Sequence, residues 1–120
     1  MANILIADDS ATETALISRV VTDLGHRSFT ASNGQECLEK ADQSRPDLIL
    51  LDVVMPTLDG FSTCRRLRKN PETATIPVVM VTSKNGDSDR FWAERQGANA
   101  YVTKPFDATY LGETIQRFVG

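Results

Sequence analysis

Asp47-Leu48-Ile49-Leu50-Leu51-Asp52-Val53-Val54-Met55-Pro56-Thr57 is the stretch from which the fold can be read. Leu48 to Leu51 form an unbroken apolar run, placing a strand over 47–51. A strand with one wet face alternates, so a run without alternation predicts a strand covered on both sides, as in a parallel sheet. The run stops abruptly at the carboxylate of Asp52 and a short loop containing Pro56. Phe61, Cys64 and Leu67 then recur on one helical face, until Asn70-Pro71 ends the helix.

The same unit repeats on either side. Asn3 to Ala7 is a short apolar strand that ends at Asp8-Asp9-Ser10. Ser10 and Glu13 have the spacing of a reciprocal capping box. Leu16, Ile17, Val20, Val21 and Leu24 define the inward face of the following helix, which Gly25 stops. Arg27 to Ala31 is a second strand, and Asn33 with Glu36 opens a helix to about Gln43. Ile76 to Val81 is another unbroken apolar strand, stopping at Thr82-Ser83. Asp89 to Gln96 is helical and ends at Gly97; the Asp87-Ser88-Asp89 cluster reads as a helix-start and solvation device. Ala100 to Thr103 is a short strand leading into Lys104-Pro105. A last helix from about Asp107 to Phe118 turns Leu111, Ile115 and Phe118 inward. Five strands and five helices in strict alternation predict an α/β, doubly wound parallel sheet of flavodoxin-like order 2-1-3-4-5. The reading is one domain over residues 1–120, with no linker and no output domain.

The chain has 120 residues with 41% hydrophobic and 24% charged, which excludes wholesale disorder and collagen-like repeats. Thirteen Lys and Arg against sixteen Asp and Glu leave a net charge of −3, without the positive excess that a duplex-binding surface needs. No apolar run approaches the roughly 18–20 residues of a membrane span, and the start of the chain lacks a basic leader, so a cytoplasmic protein is expected. Cys37 and Cys64 fall in helices and read as buried thiols.

Chemistry concentrates where the strands end. In open parallel sheets ligands bind beyond the carboxyl ends of the strands. Asp8-Asp9 follows the first strand, Asp52 the third, Thr82 the fourth and Lys104 the fifth. Each alone reads as a turn or cap residue; their conjunction at one edge does not. Three carboxylates within about 4–6 Å repel by a few kcal/mol per pair, so they need a cation or raised pKa values. An all-oxygen set suits Mg2+. Zinc is disfavoured because the one histidine, His26, lies in a turn at the opposite end. A divalent ion, a lysine and a hydroxyl around a carboxylate are the parts of a phosphoryl-transfer site, with Asp52 the best-placed nucleophile.

Asp8-Asp9-Ser10, Asp52-Val53-Val54-Met55-Pro56 with Asp59-Gly60, Thr82-Ser83 and Lys104-Pro105-Phe106 together resemble the receiver domain of two-component response regulators. The resemblance runs from Asn3 to about Val119. It is strongest to single-domain, chemotaxis-type regulators, including those of twitching motility. It implies that Asp52 is the phosphoacceptor, served by a phosphohistidine on a sensor histidine kinase or a histidine phosphotransfer domain. Asp9, Asp52 and the Val54 carbonyl would bind Mg2+ directly, with Asp8 assisting, while Lys104 and Thr82 contact the phosphoryl oxygens. Tyr101 would be the switch aromatic, turning inward as Thr82 moves, and Lys104-Pro105 would be a cis peptide. Val54 and Lys84 occupy positions that tune phosphoryl lifetime in the family, and both differ from its best-known chemotaxis member.

The implied protein is no enzyme beyond its own phosphorylation and slow dephosphorylation. It is expected to be a monomer that changes affinity for a downstream protein through its fourth helix, fifth strand and fifth helix. Phe91, Trp92, Arg95, Tyr101, Phe106 and Tyr110 are the candidate contacts. Phe91 and Trp92 are adjacent and cannot both enter the core; the reading favours Trp92 against the sheet or at its margin, and Phe106 in packing. A phosphorylation-independent pseudo-receiver and a phosphate sink remain alternatives. A flavin-binding protein would need a Gly- and Ser/Thr-rich loop where Asp8-Asp9 stands. An Asp-nucleophile phosphatase would need an acid at Val54 and a substrate cap.

Overall fold

The computed structural model describes residues 1–120. Strands β1 (Asn3–Ala7), β2 (Arg27–Ala31), β3 (Leu48–Leu51), β4 (Val78–Thr82) and β5 (Ala100–Thr103) alternate with helices α1 (Ala11–Asp23), α2 (Gly34–Ser44), α3 (Gly60–Lys69), α4 (Asp87–Arg95) and α5 (Ala108–Val119). All pairings are parallel, in the order β2-β1-β3-β4-β5.

The unbroken apolar runs have a simple cause. Leu48 and Leu50 face a core shared with Ile17 and Val21 of α1 and Leu111 and Ile115 of α5. Ile49 and Leu51 point the other way, against Cys37 and Ala41 of α2, Cys64 and Leu67 of α3, and Ala93 of α4. Helices therefore cover both faces, and every residue of β3 and β4 is buried.

Several local expectations shift. Ser10 Oγ accepts from the Glu13 N–H at 3.2 Å, but the Ser10 N–H donates to Asp8 Oδ1 at 2.9 Å. Asp8 thus takes the place that the capping box gave to Glu13. β4 starts at Val78 rather than Ile76, because Pro77 has no N–H and the Ile76 N–H turns back to Thr73 O at 3.1 Å. α4 begins two residues early, at Asp87, with the Gly86 N–H held by Asp89 Oδ2 at 3.2 Å. Leu16, expected on the inward face of α1, is 52% exposed.

Gly60 opens α3 directly beneath the site loop. A Cβ there would collide with the Asp52 carbonyl oxygen and come within 2.7 Å of Val53 Cα, both backbone atoms that cannot swing aside. Gly25, after α1, has open space around it but a φ of +88°. Gly60→Ala is therefore expected to lose about 2–3 kcal/mol through overpacking, and Gly25→Ala about 1 kcal/mol through backbone strain alone. Urea unfolding of both variants checks this ordering, and equal losses would contradict it.

Candidate functional site

Asp8, Asp52 and Lys104 each sit just past a strand and are held by one further rung of the sheet. The Asp8 N–H donates to Ala31 O at 3.0 Å, the Asp52 N–H to Ala7 O at 2.9 Å, and the Lys104 N–H to Thr82 O at 2.8 Å. The carboxylates are thus fixed by backbone rather than by loose loops. Asp8 is 4% exposed and Asp52 7%, whereas Asp9 is open to solvent.

One oxygen from each of Asp8, Asp9 and Asp52 lies within 4.8 Å of the others. Lys104 Nζ bridges two of them, donating to Asp8 Oδ2 at 2.7 Å and to Asp52 Oδ2 at 3.1 Å. The second Asp52 oxygen accepts from the Val54 N–H at 3.2 Å. Burial works against the Lys104 charge, but the hydrogen bond to Asp8 and the field and hydrogen bond of Asp52 outweigh it, holding the lysine pKa above its usual value. Three carboxylates and one ammonium leave two net negative charges in an all-oxygen donor set. That composition fits a hard divalent cation.

Thr82 is fully buried at the end of β4, its hydroxyl accepting from the Lys84 N–H at 3.4 Å. Leu51 pairs with Met80, so Thr82 stands one step beyond the level of Asp52 on the same edge. Tyr101, on β5, is half-buried. Its hydroxyl donates to Lys84 O at 2.7 Å, and the Arg90 guanidinium lies 4.9 Å from its ring centroid. Burial of the ring pushes its phenol pKa up. The Lys84 side chain is exposed, and Val54 is 51% exposed beside Asp52. The Lys104–Pro105 peptide is cis.

The aromatic residues of the fourth and fifth helices divide. Phe91 and Tyr110 are exposed, and the exposed Arg95 lies 5.6 Å from the Phe91 ring. Trp92 is 49% exposed rather than packed on the sheet, because Ala93 occupies the inward position of α4. Phe106 is half-buried against the core on the α1–α5 face. His26 stays remote from the carboxylates, accepting from the Ala2 N–H at Nδ1 (3.0 Å) and bonding Gln116 Oε1 through Nε2 (2.8 Å). Burial pushes the Cys37 and Cys64 thiols up to about 12 and about 11, so neither is a nucleophile at neutral pH. No helix is long and apolar enough to cross a membrane.

The tie from Tyr101 to the Lys84 carbonyl was not visible in the sequence, since it runs through a backbone atom. Arg68 was missed for a different reason. It belongs to a basic run, yet its guanidinium makes five hydrogen bonds, to Gly97 O twice, Ala74 O, Ile76 O and Asn99 Oδ1. It pins the far end of α4, away from the carboxylates.

Comparison with known proteins gives consistent results. A family model described as the response regulator receiver domain matches residues 4–116. Protein PilH of Pseudomonas aeruginosa is 45% identical over 115 residues, covering 96% of this chain and 95% of that protein. Chemotaxis protein CheY4 of Vibrio cholerae superposes with a TM-score of 0.92 at 32% identity, over 98% of both chains. The receiver domain of a Pseudomonas aeruginosa sensor histidine kinase, solved with a magnesium ion coordinated in its active site cleft, gives 0.92 at 29% identity. It covers 99% of this chain and 98% of its own.

Lys104 is the side chain that forms ion pairs with Asp8 and Asp52. Lys104→Met, with divalent ions chelated, is expected to cost about 3 kcal/mol by leaving two buried carboxylates unpaired. Because the folded lysine pKa is raised, its contribution is complete below the unfolded value near 10.4 and is lost as pH rises through the higher folded value. The alkaline decline in stability should therefore be shallower in the variant. Urea midpoints at neutral and alkaline pH test this; identical profiles would refute it.

Proposed function

The chain belongs to the response regulator receiver domain family, and from that premise we propose that it is a phosphoacceptor signalling protein of a two-component relay. A carboxylate oxygen of Asp52 attacks the phosphorus of a phosphohistidine on a sensor kinase or phosphotransfer domain. The P–N bond breaks, the imidazole leaves with its electron pair, and a mixed anhydride forms on Asp52. The observation that carries this reading is the Lys104 ammonium bridging Asp8 and Asp52, with Asp9 alongside.

Asp8, Asp9 and Asp52, with the Val54 carbonyl, are the residues that would hold Mg2+. When bound, the ion would offset charge on the transferring group. Lys104 moves from the carboxylates to a phosphoryl oxygen, and the buried Thr82 hydroxyl turns to another. Nothing in this requires the chain to turn over an external substrate; it promotes only its own phosphorylation and slow dephosphorylation.

Switching then concerns Tyr101. Its outward position is held by the hydrogen bond to Lys84 O and by Arg90 over the ring. Those contacts are worth about 0.5–1.5 and 0.5–1 kcal/mol, inside the roughly 1–3 kcal/mol of a typical coupling free energy. The output is a graded change in affinity for a partner protein at Phe91, Trp92, Arg95, Tyr101 and Tyr110. The likeness to a chemotaxis protein supports a process of that type.

Wild type treated with Mg2+ and acetyl phosphate should show a shifted band on a phosphate-affinity gel, and Asp52→Ala should not. An unshifted wild type, beside a demonstrably active cognate kinase, would instead favour a pseudo-receiver. At the lifetime positions, Val54→Asn with Lys84→Glu is expected to change the decay of the phosphorylated protein, since neither native side chain carries a carboxylate or amide to position water. An unchanged half-life rejects that role.

A further inference from the structure

The free edge of the sheet is finished by side chains of a neighbouring helix. β2 is the outermost strand and pairs with β1 alone. The Arg27 N–H donates to Ala2 O at 2.9 Å, and Ala31 O accepts from the Asp8 N–H at 3.0 Å. Residues 27, 29 and 31 therefore turn their peptide groups to β1. Peptide groups alternate along a strand, so those of Ser28 and Thr30 point outward from the sheet. An open row of this kind is a template for pairing with another chain.

Two side chains of α2 occupy that row. The Lys40 ammonium donates to the Thr30 carbonyl, and Glu36 Oε1 accepts from the Ser32 N–H at 2.6 Å. They lie one helical turn apart and 3.9 Å from each other. The Ser32 N–H holds the Glu36 carboxyl below its ordinary pKa, which keeps it an acceptor at neutral pH. A parallel strand bonds its neighbour in the same pattern, donating to one carbonyl and accepting from the N–H two residues further on. Glu36 and Lys40 thus supply the bonds that one residue of a sixth strand would make opposite Ala31. We infer that they form an edge guard, which denies β2 to the β2 of a second copy of the chain.

The register of the denied pair follows from the row itself. Two identical strands that meet edge to edge about a two-fold axis run antiparallel. With the axis at Phe29, Ser28 pairs with Thr30 of the partner subunit, and Thr30 with Ser28 of the partner subunit. Both residues face outward, so each pair would exchange both of its N–H···O bonds. Every such pair needs a Thr30 carbonyl, and Lys40 already holds it in both copies. An axis at Thr30 would call on the Ser32 N–H, which Glu36 holds. An axis at Ser28 would call on the His26 N–H, already given to Val21 O at 3.2 Å.

What the guard protects is the approach to the acidic notch. Between α1, β2 and α2 lies a cleft of about 500 Å³, lined by Asp8, Asp9, Thr14, Thr30, Glu36 and Lys40. A second sheet docked on β2 would stand over that cleft, beside Asp9, the carboxylate of the cluster that is open to solvent. The strand is only five residues long, so two side chains are enough to close its outward row. The guard works without phosphorylation of Asp52.

Sedimentation velocity of the intact chain over roughly 5–500 µM, the range in which weak association shows, compares the wild type with the double variant Glu36→Ala, Lys40→Ala. The double variant should form a reversible dimer at least about tenfold tighter than any wild-type association. Its Ser28 and Thr30 amides should become protected from hydrogen exchange as the dimer fills. Lys40→Met, which keeps the stem and loses the donor, should shift the equilibrium the same way. Lys40→Arg, which restores a donor, should sediment as the wild type does. Both side chains are 38% exposed, and thermal unfolding checks that the variants fold. A double variant that sediments like the wild type overturns the guard. So does a dimer whose Ser28 and Thr30 amides exchange as in the monomer, or a wild type that dimerises as tightly as the double variant.

Discussion

Three carboxylates held within 4.8 Å of one another work against folding unless a cation shares their space. At an effective dielectric near 20, each pair at about 4 Å costs roughly 4 kcal/mol. Total stabilities of such domains run to only about 5–15 kcal/mol. Lys104 answers part of this by touching Asp8 and Asp52 together. It leaves Asp9 open to solvent and the cluster two charges negative. The fold is therefore closed by one ammonium shared between two buried carboxylates. The same electrostatic demand that makes the site costly suits it to a divalent cation.

The sheet is what makes that concentration of charge possible. Residues 8, 52 and 104 are far apart in sequence, yet the order β2-β1-β3-β4-β5 sets their strands close together. Each acceptor or donor is carried one rung past a buried strand by a backbone hydrogen bond. Side chains projecting from such a ladder lose little further freedom on meeting a ligand, because the strands beneath them are packed on both faces. Gly60 tightens the arrangement, since its missing Cβ lets α3 start against the Asp52 carbonyl.

The architecture was legible because its signals are coarse. Apolar runs ending in polar residues mark central strands whatever their side chains touch. The cluster at the carboxyl edge followed from topology, because strand exits on one sheet must converge. What was misread depends on finer geometry. Five apolar residues of α1 share a broad helical stripe, but the sheet covers only its middle, and Leu16 falls outside. Trp92, read as lying against the sheet or at its margin, stands half-exposed while the small Ala93 takes the inward position, a choice of helix rotation that periodicity over so few residues cannot fix. The Ser10–Glu13 box failed because Asp8, positioned by the sheet, reached the Ser10 N–H first. Arg68 was illegible in principle: nothing local separates a guanidinium that binds carbonyls from its solvated neighbours.

Those misread residues bear on how a signal leaves the site. Arg68 fastens the turn after α4 with two hydrogen bonds to Gly97 O, and ties it to Ala74 O, Ile76 O and Asn99 Oδ1 with three more. At the other end the loop after Thr82 is tied by the Lys84 N–H to Thr82, the Lys84 carbonyl to Tyr101, the Gly86 N–H to Asp89, and the Gly86 carbonyl to the Asp89 and Arg90 N–H groups. The two ends of α4 are thus held differently, the start by the loop that also carries Tyr101's tie and the finish by a guanidinium. The Lys104 side has a different character. Pro105 and Phe106 follow the lysine directly and line a groove between α1 and the start of α5, so displacement of the ammonium has a short covalent path to that face. Bistable elements transmit only what differs between their states. In the proposed relay the differing parts would be a tyrosine hydroxyl and a lysine, and the segments that follow each of them lead to separate surfaces.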